Sequence, residues 1–316
     1  MISAAIGIDI GGTNISVGLV SAGGQLLALR RESTPRDIGE PATMARLLAL
    51  TEETLAQARC EGHTVAGIGI GFGGPVDVAA QRIRWSHHAP GWSNIEPVRA
   101  FENRFGLATR LENDANAGGL GEALFGAGQG AACVLYLNVG TGVGGAVVIG
   151  GRLHDGAHGN AGEIGHVILQ PDGPACPCGK RGCVEALCSG SAIGRRAAEA
   201  VAEGASDSSL LELPEPVTGA QVGAAAQAGD ELARQVVAAA GRDLGLAIAN
   251  ACNVLDPDTV VVGGGVSELG DLYLRPAREA FAQFAMSTIA QVPIVPAQLG
   301  YNAGVIGAAA VALFPE

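Results

Sequence analysis

The chain reads as an α/β protein made of two domains of related design, and three observations predict this class. Strand-like apolar runs alternate with helical patterns along the whole length, the order that builds sheets flanked by helices. A strand, a glycine turn and a second strand occur together twice, in AAIGIDIGGTNISVGLV near the start and in ACVLYLNVGTGVGGAVVIGG well downstream. With 316 residues, the chain also exceeds the usual extent of one hydrophobic core.

Each element follows from its pattern. Ile6, Ile8 and Ile10 share one face of a strand that ends at a glycine pair, and a polar-apolar alternation follows Thr13. QLLALRRE is a third strand. Over 41–60, Leu47, Leu48, Thr51 and Leu55 recur at helical spacing behind Pro41, a favoured first helical residue. TVAGIGIGFGG is a buried strand and WSHHAPGWSN a loop; a helix near 96–105, a short strand in LATRLEN and a helix in DANAGGLGEALFGAG complete the first half. The second half opens with the repeated unit, passes through a cysteine-bearing loop and runs into alanine-rich helices from about 190 to 254. DTVVVGGGVSELGDLYLRPAREAFAQF is then strand, triple glycine and helix, and YNAGVIGAAAVALF is a final apolar helix.

Composition narrows the function. Hydrophobic residues make up 48% and charged ones 16%, the balance of a globular protein. A formal net charge of -12, with no basic run, argues against nucleic acid or an anionic membrane as partner. The start MISAAIGIDI lacks the pattern of a signal peptide, and no apolar run reaches the ~18 residues of a membrane span, so a cytoplasmic protein is expected. Lys180 is the single lysine, and its GKR context fails the Gly-Lys-Ser/Thr test of a Walker loop. Any nucleotide must be held another way.

The 49 glycines cluster at strand ends. Glycine turns expose backbone N–H groups and make anion sites without lysine, and DIGGTN and NVGTGVGG both qualify, although an ordinary hairpin turn has the same composition. GIGFGG and GTGVGG match the dinucleotide fingerprint, but neither opens a helix, so the context rejects it. Asp9 ends the first strand just before its turn; an acid beside phosphates is repelled unless Mg²⁺ lies between, while the plainer role is a turn cap. Asn113 and Asp114 stand where a strand meets a helix. Capping is the plain role there, and a general base for a hydroxyl, with Asn holding the same substrate, is the chemical one.

His166, Cys176, Cys178 and Cys183 offer one nitrogen and three sulfurs, the Cys₃His set of a structural Zn²⁺; the chain's seven cysteines are an odd number, and in a reducing compartment clustered cysteines favour metal over disulfides. Cys60, Cys133, Cys188 and Cys252 lie in predicted elements and are expected in the core. Glu163 and His166 share a face if NAGEIGHV is a helical turn, and Glu185 follows the last knuckle cysteine by two. Two glutamates and a histidine on one metal-stiffened loop suit the hydroxyls of a sugar, the histidine using one ring nitrogen for zinc and the other for the ligand.

Together DIGGTN, ENDANAGGLGE, LNVGTGVGGAVVIGGRLHDGAHGNAGEIGHV, CPCGKRGCVE and VVVGGGVS resemble the ROK sugar kinases, the bacterial glucokinases most closely, over nearly the whole chain. The resemblance implies an actin-like, hexokinase-like fold of two α/β domains around a cleft. Residues 1–116 with 300–316 form the smaller domain, and residues 117–299 the larger one with the zinc loop. It implies ATP-dependent phosphorylation of a hexose, with Asp114 taking the proton of the 6-hydroxyl and Asn113 on a neighbouring hydroxyl. Glu163, His166 and Glu185 then bind hydroxyls near the anomeric end, and the loop at Gly74 approaches the sugar. Gly11, Gly12, Thr13 and Asn14, with Gly140, Thr141 and Gly142, cradle phosphates beside Asp9, and Gly264 and Gly265 lie by the nucleoside. A homodimer or homotetramer is implied as well.

Many relatives are repressors with a helix-turn-helix ahead of this first loop; here the loop begins at residue 9, which with the acidic charge disfavours a regulator. One departure is Gly73 in GFGGPVD, where many relatives have proline, which leaves the exact sugar open. N-acetylmannosamine, N-acetylglucosamine and fructose remain alternatives to glucose, polyphosphate to ATP, and a non-catalytic sugar sensor to an enzyme.

Overall fold

The computed structural model describes residues 3–34, 39–84, 92–93 and 95–315, so most of the expected loop at 85–94 lies outside the described residues. The first half contains β1 (Ser3–Ile10), β2 (Asn14–Ser21), β3 (Leu26–Ser33), α1 (Gly39–Cys60), β4 (Thr64–Phe72), the short pair β5 (Val76–Asp77) and β6 (Arg82–Ile83), α2 (Pro97–Phe105), β7 (Thr109–Asn113) and α3 (Asp114–Phe125). The second contains β8 (Cys133–Val139), β9 (Val143–Ile149), β10 (Arg152–Leu153), α4 (Val184–Cys188), α5 (Gly190–Ala202), α6 (Gly219–Ala228), α7 (Glu231–Leu255), β11 (Thr259–Gly263), α8 (Asp271–Phe284), β12 (Ile294–Pro296) and α9 (Ala303–Leu313).

One sheet runs β3-β2-β1-β4-β7 and the other β10-β9-β8-β11-β12. In chain order these are the same arrangement, which is the repetition expected from the two strand-turn-strand units. β1 pairs antiparallel with β2 and parallel with β4, which pairs parallel with β7; β11 likewise lies parallel to β8 and β12.

Contacts divide the chain into a first unit of residues 1–130, 146–161 and 298–316 and a second of 131–145 and 162–297. The boundary expected after residue 116 falls inside α3, and α3 stays with the first unit because it packs on α9 backbone to backbone. A Cβ on Gly307 would come within 1.8 Å of the Ala117 carbonyl oxygen, and one on Gly121 within 3.0 Å of Gly307 Cα. The strand segment 146–161, expected in the larger domain, also belongs to the first unit.

The first sheet is covered on both faces. Ile6, Ile8 and Ile10 bury against Leu47 and Leu50 of α1, each such side chain contributing roughly 2 kcal/mol. On the other face Ala5 and Val20 meet Val305, Ile306 and Ala309 of α9. This double cover removes the alternation expected after Thr13: β2 is buried from Ile15 to Ser21, and even Ser16 is 2% exposed. α9 lies so close that a Cβ on Gly7 or Gly69 would sit 1.9 or 1.7 Å from the carbonyl oxygens of Val305 and Ala308. α1 starts at Gly39, two residues ahead of Pro41. Cys188 and Cys252 are buried as expected, whereas Cys60, at the exposed end of α1, and Cys133, at the half-buried start of β8, are not core residues. Among the described residues no helix is long and apolar enough to cross a membrane.

Candidate active site

In the first unit the parallel strands β1, β4 and β7 carry the expected residues at their C-terminal ends, where open α/β sheets bind ligands. The turn after β1 is closed by the Gly11 N–H on the Asn14 carbonyl at 3.0 Å, and Thr34 braces it through its hydroxyl on the Gly11 carbonyl at 2.7 Å and its N–H on the Thr13 carbonyl at 2.8 Å. Gly11, Gly12, Thr13 and Asn14 thus form one ordered turn beside Asp9.

Asp9 faces α9 at Gly304, where a Cβ would lie 2.8 Å from the Asp9 carboxyl carbon. Only glycine leaves that carboxyl in place. Burial raises the Asp9 carboxyl from 3.8 to about 7, the Asp114 carboxylate adds to the rise, and the Arg31 guanidinium opposes it. Arg31 is held for this by the Ser16 hydroxyl at 3.0 Å, the Tyr301 carbonyl at 2.9 Å and Asn302 Oδ1 at 3.2 Å.

Helix capping at the β7–α3 junction falls to Asn113. Its Oδ1 accepts from the Ala115 and Asn116 N–H groups at 2.9 and 3.2 Å, and its Nδ2 donates to the Gly74 carbonyl at 3.2 Å. Asp114 is the first residue of α3; its Oδ1 accepts from its neighbour Ala115 N–H at 2.8 Å and its Oδ2 faces Gly73. The Nδ2 group of Asn113 carries a second hydrogen beyond that bond. Gly73, the departure from proline, donates its N–H to the Ile10 carbonyl at 3.0 Å, a bond proline cannot make. Sequence reasoning missed Glu112, 3% exposed, which accepts from the Asn113 N–H at 2.8 Å and Asn116 Nδ2 at 2.9 Å and so sets the junction from beneath.

In the second unit two glycine turns stand side by side. The β8–β9 turn closes with the Gly140 N–H on the Gly142 carbonyl at 3.0 Å, leaving Thr141 exposed at its tip. The turn after β11 begins at Gly264, with φ 84°, where a Cβ would meet the Val139 carbonyl oxygen at 2.4 Å; Val266 N–H then donates to the same carbonyl at 3.0 Å. Gly265 borders open space.

The knuckle brings its four expected residues together: one ligand atom from each of His166, Cys176, Cys178 and Cys183 lies within 4.8 Å of all the others. Gly179 and Gly182, with φ 87° and 66°, turn the chain, and the Cys176 N–H closes it on the Lys180 carbonyl at 2.9 Å. Cys178 and Cys183 sulfurs are 3.7 Å apart, against about 3.8 Å for two thiolates on a tetrahedral zinc with bonds near 2.3 Å. His166 turns Nδ1 toward Cys176 at 3.8 Å and Nε2 toward Glu163 Oε2 at 3.9 Å, so its two nitrogens face different partners. The expected helical turn is a 3₁₀ turn over Ile164–His166 with Glu163 at its cap. Burial pushes the Cys176 thiol up to about 12 and raises Cys183, whereas the Lys180 N–H lowers Cys178. Glu185, on α4, accepts the Val143 N–H at 3.0 Å and thereby reaches the β8–β9 turn, a contact across 42 positions that local spacing could not reveal.

The model of the ROK family matches residues 5–314. The chain belongs to the ROK family. Among its relatives, the glucokinase of Thermotoga maritima is 36% identical over 97% of this chain and 96% of its own length. The ROK hexokinase of Thermus thermophilus superposes with a TM-score of 0.81 at 36% identity, covering 97% of this chain and 96% of that one. A ROK glucokinase from Streptomyces griseus, solved with glucose and AMPPNP, gives 0.80 at 35% identity and 98% coverage of both chains. The ROK fold of this chain is the actin-like sugar-kinase fold, with two α/β units.

Proposed function

We propose that the chain transfers the γ-phosphoryl group of ATP to the 6-hydroxyl of a hexose, glucose before others. The observation that carries this reading is the placing of the β7–α3 junction: at the C-terminal end of β7 Asn113 caps the helix and the Asp114 carboxylate stands beside it, with Oδ2 toward Gly73 of the loop after β4. Asp114 accepts the proton of the attacking hydroxyl, while the second Nδ2 hydrogen of Asn113 orients the next hydroxyl. Glu163, His166 and Glu185 hold hydroxyls toward the anomeric end, with Gly74 lining the same sugar. The turns at Gly11–Asn14 and Gly140–Gly142, each closed by the N–H of its first glycine, cradle the phosphates, and Gly264 and Gly265 leave room for the nucleoside.

ATP supplies the phosphoryl group and Mg²⁺ the counter-charge it needs. Asp9 suits that cation: a carboxyl raised to about 7 is only part-ionised at neutral pH, and a dication restores its charge. His166, Cys176, Cys178 and Cys183 suit a structural Zn²⁺ by ligand type and by the 3.7 Å sulfur spacing.

Asp114→Ala is expected to lower turnover by at least about a thousandfold while glucose affinity changes only severalfold. ADP release measured over glucose, N-acetylmannosamine, N-acetylglucosamine and fructose tests activity and sugar together. Full turnover in the variant, or no turnover of any hexose by the wild type, refutes the reading.

A further inference from the structure

Glu185 touches two loops of the second unit with its two carboxylate oxygens. Oε2 accepts the Val143 N–H at 3.0 Å, at the end of the β8–β9 turn, and Oε1 lies 3.7 Å from the Cys176 sulfur in the knuckle. The fit at the turn is close, since a Cβ on Gly142 would come within 2.4 Å of Oε2. The same stretch of chain grips the turn a second time: the Gly190 N–H donates to the Gly140 carbonyl at 2.8 Å and the Ser191 N–H to the Thr141 carbonyl at 3.4 Å. Both grips belong to one run, α4 and the start of α5, which begins at the knuckle residue Cys183. Behind it the Tyr273 hydroxyl fixes the end of α4 by donating to the Cys188 carbonyl at 2.9 Å. A carboxylate that served sugar hydroxyls alone would need no bond to Val143.

We propose that Glu185 is a positioning residue for the phosphate turn and couples that turn to the cysteine knuckle and to the sugar. This rests on the proposed function, which gives the turn to nucleotide phosphates and Glu185 to sugar hydroxyls. The Val143 N–H, held by Glu185, fixes the end of the turn that the proposed function gives to phosphate. A sugar that engages the same carboxylate alters that hold. One group then serves both ligands, so each must change the affinity of the other by the same factor.

The test is calorimetric titration of MgADP, without sugar, into the metal-loaded wild type and into Glu185→Ala, Glu185→Asp and Glu185→Gln, each followed by glucose titration with and without MgADP. Alanine removes the acceptor and aspartate withdraws it from Val143 by one methylene, so both should weaken MgADP about tenfold. Glutamine keeps an oxygen at the same distance and should restore MgADP binding to within about twofold. Amide exchange at Val143 should quicken in the alanine and aspartate variants only. If alanine leaves the chain unfolded, the aspartate variant decides. MgADP affinity unchanged in the aspartate variant, with glucose affinity alone reduced, overturns the coupling. A wild type that phosphorylates no hexose sinks the functional reading instead, and the two failures are thus told apart.

Discussion

Replacing Asp9 with asparagine should remove a pH dependence of stability that the wild type carries in its first unit. The carboxyl has an ordinary value of 3.8 and rises to about 7 in the folded chain, first through burial and then through Asp114. Between these values the unfolded chain has lost the proton and the folded chain still holds it, so stability falls as pH rises. At about 1.36 kcal/mol per pH unit, the cost reaches a ceiling of about 4 kcal/mol above pH ~7 and vanishes below pH ~4. Urea unfolding followed by tryptophan fluorescence, with chelator present, measures it at about pH 5 and about pH 8. Both tryptophans fall within residues 1–130, and Trp92 is buried there at 2% exposure, so the signal reports the first unit. The wild type should lose about 2.5 kcal/mol more than Asp9→Asn between the two conditions, the rest of the ceiling being already lost below pH ~5. Asp114→Asn should fall between them, because it removes the second cause and leaves the first. Added Mg²⁺ and nucleotide should flatten the wild-type slope, since a bound cation keeps the carboxylate charged and stabilises the folded state by mass action. Parallel pH dependences in wild type and Asp9→Asn would refute the reasoning.

Two further outcomes follow from buried groups and ligand sets. Glu122 is 0% exposed and accepts the N–H groups of Ala127, Gln298 and Leu299 at 2.9, 3.1 and 2.7 Å, so Glu122→Ala strands three donors at roughly 1–3 kcal/mol each. Thermal unfolding should fall by about 10 °C or more, with Glu122→Gln losing less; an unchanged midpoint would contradict this account. Metal analysis should find one zinc per chain in the wild type and a large loss in Cys176→Ser, and a wild type without zinc would remove the metal from the knuckle.

Much of this was legible in the chain because its signals are local. Ile6, Ile8 and Ile10 fix β1 by their period, Asn113 and Asp114 mark a strand–helix junction, and the spacing of Cys176, Cys178 and Cys183 announces a knuckle. The contacts that organise the site are long-range and leave no periodic trace. Glu185 meets Val143 across 42 positions, and Glu122 meets Leu299 across 177. The contact unit that takes in α3 was not legible for the same reason, since nothing within 114–125 tells that α3 packs on α9, an element near the far end of the chain. The alternation expected in β2 failed because period alone does not show how many faces of a sheet are covered. Gly304 could not be singled out among so many glycines until Asp9 was found against it.

The repeated architecture also explains why only one of the two turns has an acid. Asp9 is the penultimate residue of β1 and pairs across to Gly71 of β4, while Asn138 is the penultimate residue of β8 and pairs across to Gly263 of β11. The sheets have the same strand order, so these are equivalent positions, charged in one half and neutral in the other. A second carboxylate at Asn138 would repel phosphate at the neighbouring turn, and a neutral side chain at Asp9 would leave a cation without an anchor. The Asn138 side chain also sits where a Cβ on Gly264 would meet its Oδ1 at 2.6 Å, so the amide lines the second glycine turn. The two sheets thus present two glycine turns of one design. Under the proposed function, the difference between acid and amide at the strand end is what would place the cation with Asp9 of the first unit rather than with Asn138 of the second.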